Sequence, residues 1–185
     1  LDARSVAPSP IAIERLRELH EPMPDGSTDP LTVLTRLHEI ASPATVASAG
    51  PRYFGFVTGG TLPAALAPNW LAGAWDQNAG FAVMSPATVA LESVAVAWML
   101  DALRLPADCG AALVTGATMA NLTGLAAARH LLLERAGWDV EAQGLFGAPP
   151  ITVVVGDEVH VSVLKALAIL GLGHKRVIRV PTDGQ

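Results

Sequence analysis

Apolar positions change their spacing several times along the 185 residues of the chain. From Ile11 to His20 they recur at helical intervals, at Ile13, Leu16 and Leu19, and Glu21-Pro22-Met23-Pro24-Asp25-Gly26 then breaks the run. Asp29-Pro30 opens a second helix with Leu31, Leu34 and Leu37 on one face. Aspartate as N-cap with proline in the first turn is a standard helix start. These two segments carry too little apolar surface for a core of their own, so residues 1–50 read as an arm that packs on another surface. Pro63 to Trp75 predicts an Ala- and Leu-rich helix, ended by the turn formers Asp76 to Gly80. Ser85-Pro86 predicts the start of a long helix through about Leu103, with Leu91, Val94, Ala95, Trp98 and Leu105 on its buried side.

After Leu105-Pro106-Ala107-Asp108 the chain alternates. A short strand, Ala111–Val114, leads into a helix, Thr118–Arg135, closed at Gly137; a Gly- and Pro-rich loop spans 138–150. Ile151–Val155 is wholly apolar apart from one threonine and rich in β-branched residues, as in a strand buried on both faces. A turn, Gly156 to His160, precedes a helix, Val161–Leu170, closed by Gly171 and Gly173, and Arg176–Val180 forms a third strand. The order β-α-β-α-β is that of an α/β sheet, in which ligands gather at the C-terminal ends of the strands. No internal repeat or low-complexity tract interrupts it. The sheet is expected to continue beyond Gln185, leaving the domain incomplete at its C-terminus.

Composition narrows the function classes. Hydrophobic residues make up 51% and charged residues 16%, a lean charge supply that implies extensive burial against a partner subunit or further chain. A net charge of −5 without a Lys/Arg cluster gives no reason to expect nucleic acid. The lone Cys109 excludes an intrachain disulfide framework, fits a reducing compartment, and reads as an unreactive loop thiol. The start does not resemble a signal peptide. Apolar stretches are interrupted by Glu92 and Asp101 or end at Gly171, short of the roughly 20 residues a spanning helix needs. A soluble cytoplasmic protein, with no membrane association and no bound metal, is the expectation.

Three places carry candidate chemistry. The first is Val114-Thr115-Gly116-Ala117-Thr118-Met119-Ala120-Asn121. A strand, a turn of small residues and a helix N-terminus together make an anion site, because first-turn N–H groups lack intrahelical partners and the dipole end is positive. Gly116 and Ala117 would let a phosphate approach the backbone, and Thr118 adds a hydroxyl. The pattern is neither a P-loop nor Gly-x-Gly-x-x-Gly. By itself it is equally an ordinary strand-to-helix connection capped by a threonine. The second is Pro51 to Gly60, where Tyr53, Phe54 and Phe56 cluster in a chain with 5% aromatics. Such a segment suits a ligand wall, and equally a hydrophobic hinge for the arm. The third is His160, just beyond a strand at a helix start, parallel in chain position to the small-residue turn. Its imidazole can stack on an aromatic cofactor or simply hydrogen-bond the helix end.

Taken in order, Pro51-Arg52-Tyr53-Phe54-Gly55-Phe56, Ala74-Trp75-Asp76-Gln77-Asn78, Ser85-Pro86, Thr115-Gly116-Ala117-Thr118-x-Ala120-Asn121 and His160-x-Ser162-x-x-Lys165-Ala166 resemble the group II pyridoxal-phosphate decarboxylases. That family includes the aromatic-amino-acid, histidine and glutamate decarboxylases, and the resemblance runs over roughly residues 30–185. It implies fold type I, the aspartate-aminotransferase-like α/β fold: a mostly parallel sheet flanked by helices. It implies an N-terminal helical arm and dimerisation segment over 1–60 and the first part of the large cofactor-binding domain over 61–185. It further implies pyridoxal 5′-phosphate as cofactor and a homodimer with shared active sites. Gly116, Ala117 and Thr118 fall on the phosphate-binding turn, and His160 on the histidine over the pyridine ring, where it is also the candidate catalytic residue. Phe56 and Thr58 fall on the segment lining the substrate side, Tyr53 lies beside them, and Asn78 lies in the stretch that reaches the neighbouring subunit's site.

Met119 departs from the acidic residue frequent in relatives. The family's Schiff-base lysine and the aspartate that pairs with the pyridinium nitrogen are expected downstream; neither Lys165 nor Lys175 matches that lysine. The implied activity is decarboxylation of an L-amino acid to an amine and CO2, with an aromatic or other apolar side chain preferred. Alternatives are an aldehyde-forming enzyme of the same family, or a non-catalytic anion-binding α/β module.

Overall fold

Prolines and small polar residues set most of the helix starts. The computed structural model describes residues 4–182 and divides into two compact units, Leu1–Asn78 and Ala79–Gln185. In the first, α1 (Pro10–Arg15) is capped by the Ser9 hydroxyl, which accepts from the Ala12 N–H at 3.1 Å. A 3₁₀ turn over Leu16–Leu19 continues it. The predicted aspartate cap holds at α2 (Pro30–Ala41), where Asp29 accepts from both the N–H (2.8 Å) and the hydroxyl (3.0 Å) of Thr32. Arg36 on α2 donates to Glu21 at 2.8 Å and to the Glu18 carbonyl at 2.6 Å, tying the loop between the helices to α2. Ala12, Ile40 and Ala47 are buried here. α3 spans Pro63–Trp75, as its composition predicts, and ends on a left-handed Asp76 (φ 46°).

The second unit holds α4 (Pro86–Ala102), α5 (Ala117–Arg135), the short α6 (Val140–Gln143), β1 (Val154–Gly156), α7 (Val161–Ile169) and β2 (Ile178–Val180). α6 lies within the segment expected to be loop; the Asp139 carboxylate accepts from Ala142 N–H at 3.0 Å and nucleates it. β1 and β2 pair in parallel, Val154 opposite Ile178 and Gly156 opposite Val180, with α7 as the crossover. Both strands are shorter than expected, because a ladder exists only where the two segments face each other.

Two further expectations are corrected. Ala111–Val114 forms no ladder with any described strand, so it is a strand only in its composition. Ile151–Val155 is not buried on both faces: Val154 is more than half exposed, since β2 is its one neighbour among the described residues. The face of α4 is likewise open, with Leu91 60% and Trp98 73% exposed. A buried face needs a second surface, and no other described helix or strand packs along α4.

α5 and α7 form the core of this unit. Leu133, Ala166 and Leu167 are almost wholly buried. The two helices run in the same direction, fixed by two cross-links. Asn121 near the start of α5 bonds Ser162 near the start of α7, and Arg129 further along α5 donates to the Leu170 carbonyl at the end of α7 (3.1 Å). Both helices close alike. Gly137 (φ 76°) and Gly171 (φ 73°) take the left-handed position. The N–H groups of Trp138 and Leu172 then reach back to the carbonyls of Leu133 and Leu167, at 2.9 and 3.0 Å. Among the described residues no helix is long and apolar enough to cross a membrane, and no cluster of His, Cys, Asp and Glu is placed to hold a metal.

Candidate functional site: the start of α5 and the His160 cap

The small-residue turn becomes the start of α5, with Gly116 as N-cap and no side chain capping the helix. The first intrahelical bond is Ala120 N–H to the Gly116 carbonyl, at 3.0 Å. The N–H groups of Ala117, Thr118 and Met119 precede it and point out of the helix end. The first turn carries no acidic side chain. The turn therefore departs from the threonine-capped connection that the sequence left open. Gly116 is extended (φ 164°), a backbone any residue adopts, and a Cβ there would meet nothing within 4 Å. The chain itself does not demand glycine here, and the open space leaves room for an anion at the uncapped N–H groups. A phosphate fits this end.

His160 is the N-cap of α7, and its Nδ1 accepts from the Ser162 N–H at 3.2 Å. The residue thus makes the helix-start hydrogen bond that its position suggested, using one ring nitrogen and leaving Nε2 free of that task. The Ser162 hydroxyl lies 2.8 Å from the same Nδ1 and 2.8 Å from the side-chain nitrogen of Asn121. Asn121 stands one helical turn after Ala117. A chain of hydrogen bonds therefore runs from the first turns of α5, through Ser162, to the imidazole. Ser162 is 4% exposed, so water does not compete for it. The structure brings Gly116, Ala117, Thr118 and His160 into one unit through the packing of α5 on α7.

Tyr53, Phe56, Thr58 and Asn78 belong to the first unit. The Tyr53 ring lies over Gly55, where an added Cβ would stand 3.1 Å from the phenolic oxygen. Phe56 and Val57 both take left-handed φ of 54°, and Phe56 projects with 93% of its surface exposed. For two adjacent residues with side chains that conformation costs about 1–2 kcal/mol each. The Thr58 hydroxyl donates to the Gly55 carbonyl at 3.2 Å and closes the turn. Asn78 follows the left-handed end of α3.

Sequence reasoning assigned no role to Asn121 and Ser162. The signal lay in register: Asn121 is one turn beyond Ala117, and Ser162 is two residues beyond His160, at the position whose N–H an N-cap side chain accepts.

The family model for the pyridoxal-dependent decarboxylase conserved domain matches residues 14–185, and the chain belongs to that family. An aromatic-L-amino-acid decarboxylase from Bacillus atrophaeus is 28% identical over 172 residues, covering 90% of this chain and 32% of that protein. The solved structure of mouse CSAD matches with a TM-score of 0.83 at 23% identity, over 97% of this chain and 37% of that one. Oryza sativa TDC, solved with PLP and tryptamine, matches with a TM-score of 0.79 at 25% identity, over 97% of this chain and 39% of that one. The chain spans about a third of the length of the curated relatives it matches. Its α/β class and fold are those the motif resemblance implied.

Proposed function

We propose that the protein carrying this chain is a pyridoxal-phosphate-dependent L-amino-acid decarboxylase, acting on an aromatic or other apolar amino acid and releasing CO2 and an amine. The observation that carries the reading is the pairing of an uncapped, acid-free start of α5 with a helix-capping His160 joined to it through Asn121 and Ser162. When bound, the cofactor supplies an electron sink for the bond to the departing carboxylate. The chain's own residues supply the phosphate grip, the ring-facing imidazole and the substrate wall. The N–H groups of Ala117 and Thr118, with the Thr118 hydroxyl, hold the phosphate, and Gly116 leaves room for it. His160 presents a flat ring to one face of the cofactor and an Nε2 able to donate to a carboxylate or hand over a proton. Tyr53, Phe56 and Thr58 line the substrate side and exclude water, and the apolar character of that segment supports the preference for an apolar substrate. Asn78 reaches the site of a neighbouring subunit in a homodimer with shared sites; the exposed apolar surface of α3 and α4 supports such burial. We place this enzyme in the cytoplasm, and the lysine and aspartate that complete the site outside this chain.

The test is to incubate the full-length protein with pyridoxal phosphate, reduce with borohydride, and follow CO2 release across the amino acids. A reduced cofactor adduct on a lysine with an amine product supports the reading. An aldehyde product would move it to the aldehyde-forming branch of the family, and failure to trap any adduct would overturn it.

A further inference from the structure

We propose that Asn121 and Ser162 are positioning residues that lock His160 in one tautomer and one ring orientation. Its consequence for catalysis rests on the functional reading above; its geometry does not. The amide nitrogen of Asn121 only donates, so at 2.8 Å it makes the Ser162 oxygen an acceptor. The single Ser162 hydroxyl proton is then left for Nδ1 of His160, also at 2.8 Å. The Ser162 N–H donates to the same nitrogen at 3.2 Å. Two donors converge on one ring nitrogen, which must offer its lone pair, so the ring proton sits on Nε2. A simple helix cap would need only the backbone N–H. What goes beyond a cap is the bond from another helix, which fixes which way the buried hydroxyl points. Because Asn121 rides on the helix whose first turn holds the phosphate, the two grips on the cofactor are built in one register.

The discriminating variant is Asn121→Asp. It keeps the shape but replaces the donor with a carboxylate, which would accept the Ser162 proton and withdraw it from Nδ1. The full-length protein, labelled with ¹⁵N-histidine, is compared with and without pyridoxal phosphate, and the His160 signals are assigned by their loss in His160→Gln. We expect an Nε2–H tautomer in the parent protein and appearance of the Nδ1–H tautomer in Asn121→Asp. The loss of one oriented hydrogen bond should lower kcat about fivefold, with KM changed less. Ser162→Ala removes the hydroxyl but keeps the backbone N–H on Nδ1, so the Nε2–H tautomer should persist while the Nδ1 signal shifts as it loses one of its two donors, which keeps the test decisive if the aspartate variant does not fold. An Nδ1–H tautomer in the parent protein, an unchanged tautomer in Asn121→Asp, or an unmoved Nδ1 signal in Ser162→Ala would overturn the proposal. If the parent binds no cofactor yet holds the Nε2–H tautomer and Asn121→Asp shifts it, the relay stands and only the functional reading fails.

Discussion

Gly116→Asp separates two effects that share one helix end. At φ 164° and with nothing within 4 Å of a built Cβ, an aspartate fits without strain. Aspartate is a preferred N-cap and favours the positive end of the dipole, so α5 should gain about 0.5–1 kcal/mol without cofactor. The same carboxylate would occupy the N–H groups of Thr118 and Met119 and stand about 4 Å from any phosphate brought to them. Two like unit charges at that distance repel by about 4 kcal/mol at an effective dielectric near 20. Cofactor affinity should therefore fall roughly a thousandfold, while the unfolding temperature of the cofactor-free protein holds or rises. Fluorescence titration with pyridoxal phosphate and a thermal melt of the apo protein read the two quantities. Affinity within threefold of the parent would refute the placement of the phosphate at this turn.

Leu167→Ala, at a wholly buried position between α5 and α7, should cost about 2–5 kcal/mol in denaturant unfolding. Arg104 occupies the left-handed C′ position of α4 (φ 55°), with the Leu105 N–H bonded back to the Leu100 carbonyl at 2.9 Å; Arg104→Gly should stabilise by about 1 kcal/mol in the same assay. The His130 imidazole is raised above its ordinary value of 6.5 chiefly by its hydrogen bond to Glu141, 2.8 Å away, and by that carboxylate's charge. A raised folded value contributes stability below the unfolded value and loses it as pH rises through the folded one. His130→Gln should therefore lower the melting temperature at pH 6 and leave it unchanged at pH 9. Asp29 is held below its ordinary range by the Thr32 N–H. Its contribution is present above the unfolded value and lost as pH falls through the lowered folded value, so the effect of Asp29→Ala should be largest in melts at neutral pH and shrink on acidification below the ordinary carboxylate range.

Local chemistry was legible where a residue's role is decided by its immediate neighbours. Asp29-Pro30, Ser85-Pro86, and the closing glycines 137 and 171 mark helix ends in the sequence, and the helices begin and end there. What failed depended on partners distant in the chain. Ala111–Val114 has the composition of a strand but no described strand beside it, and α4 has an apolar face without a described cover. The turn at Gly116 and the cap at His160 stood out in the sequence because each is a local motif, and a helix starts at each. The link between them was hidden, because Asn121 and Ser162 are polar residues whose value appears only when α5 lies along α7.

The most direct measurement is a crystal structure of the full-length protein with pyridoxal phosphate bound. Phosphate oxygens are expected within about 3 Å of the Ala117 and Thr118 N–H groups, with the His160 ring lying flat against the pyridine. A cofactor bound elsewhere, or a phosphate held away from the start of α5, would contradict it.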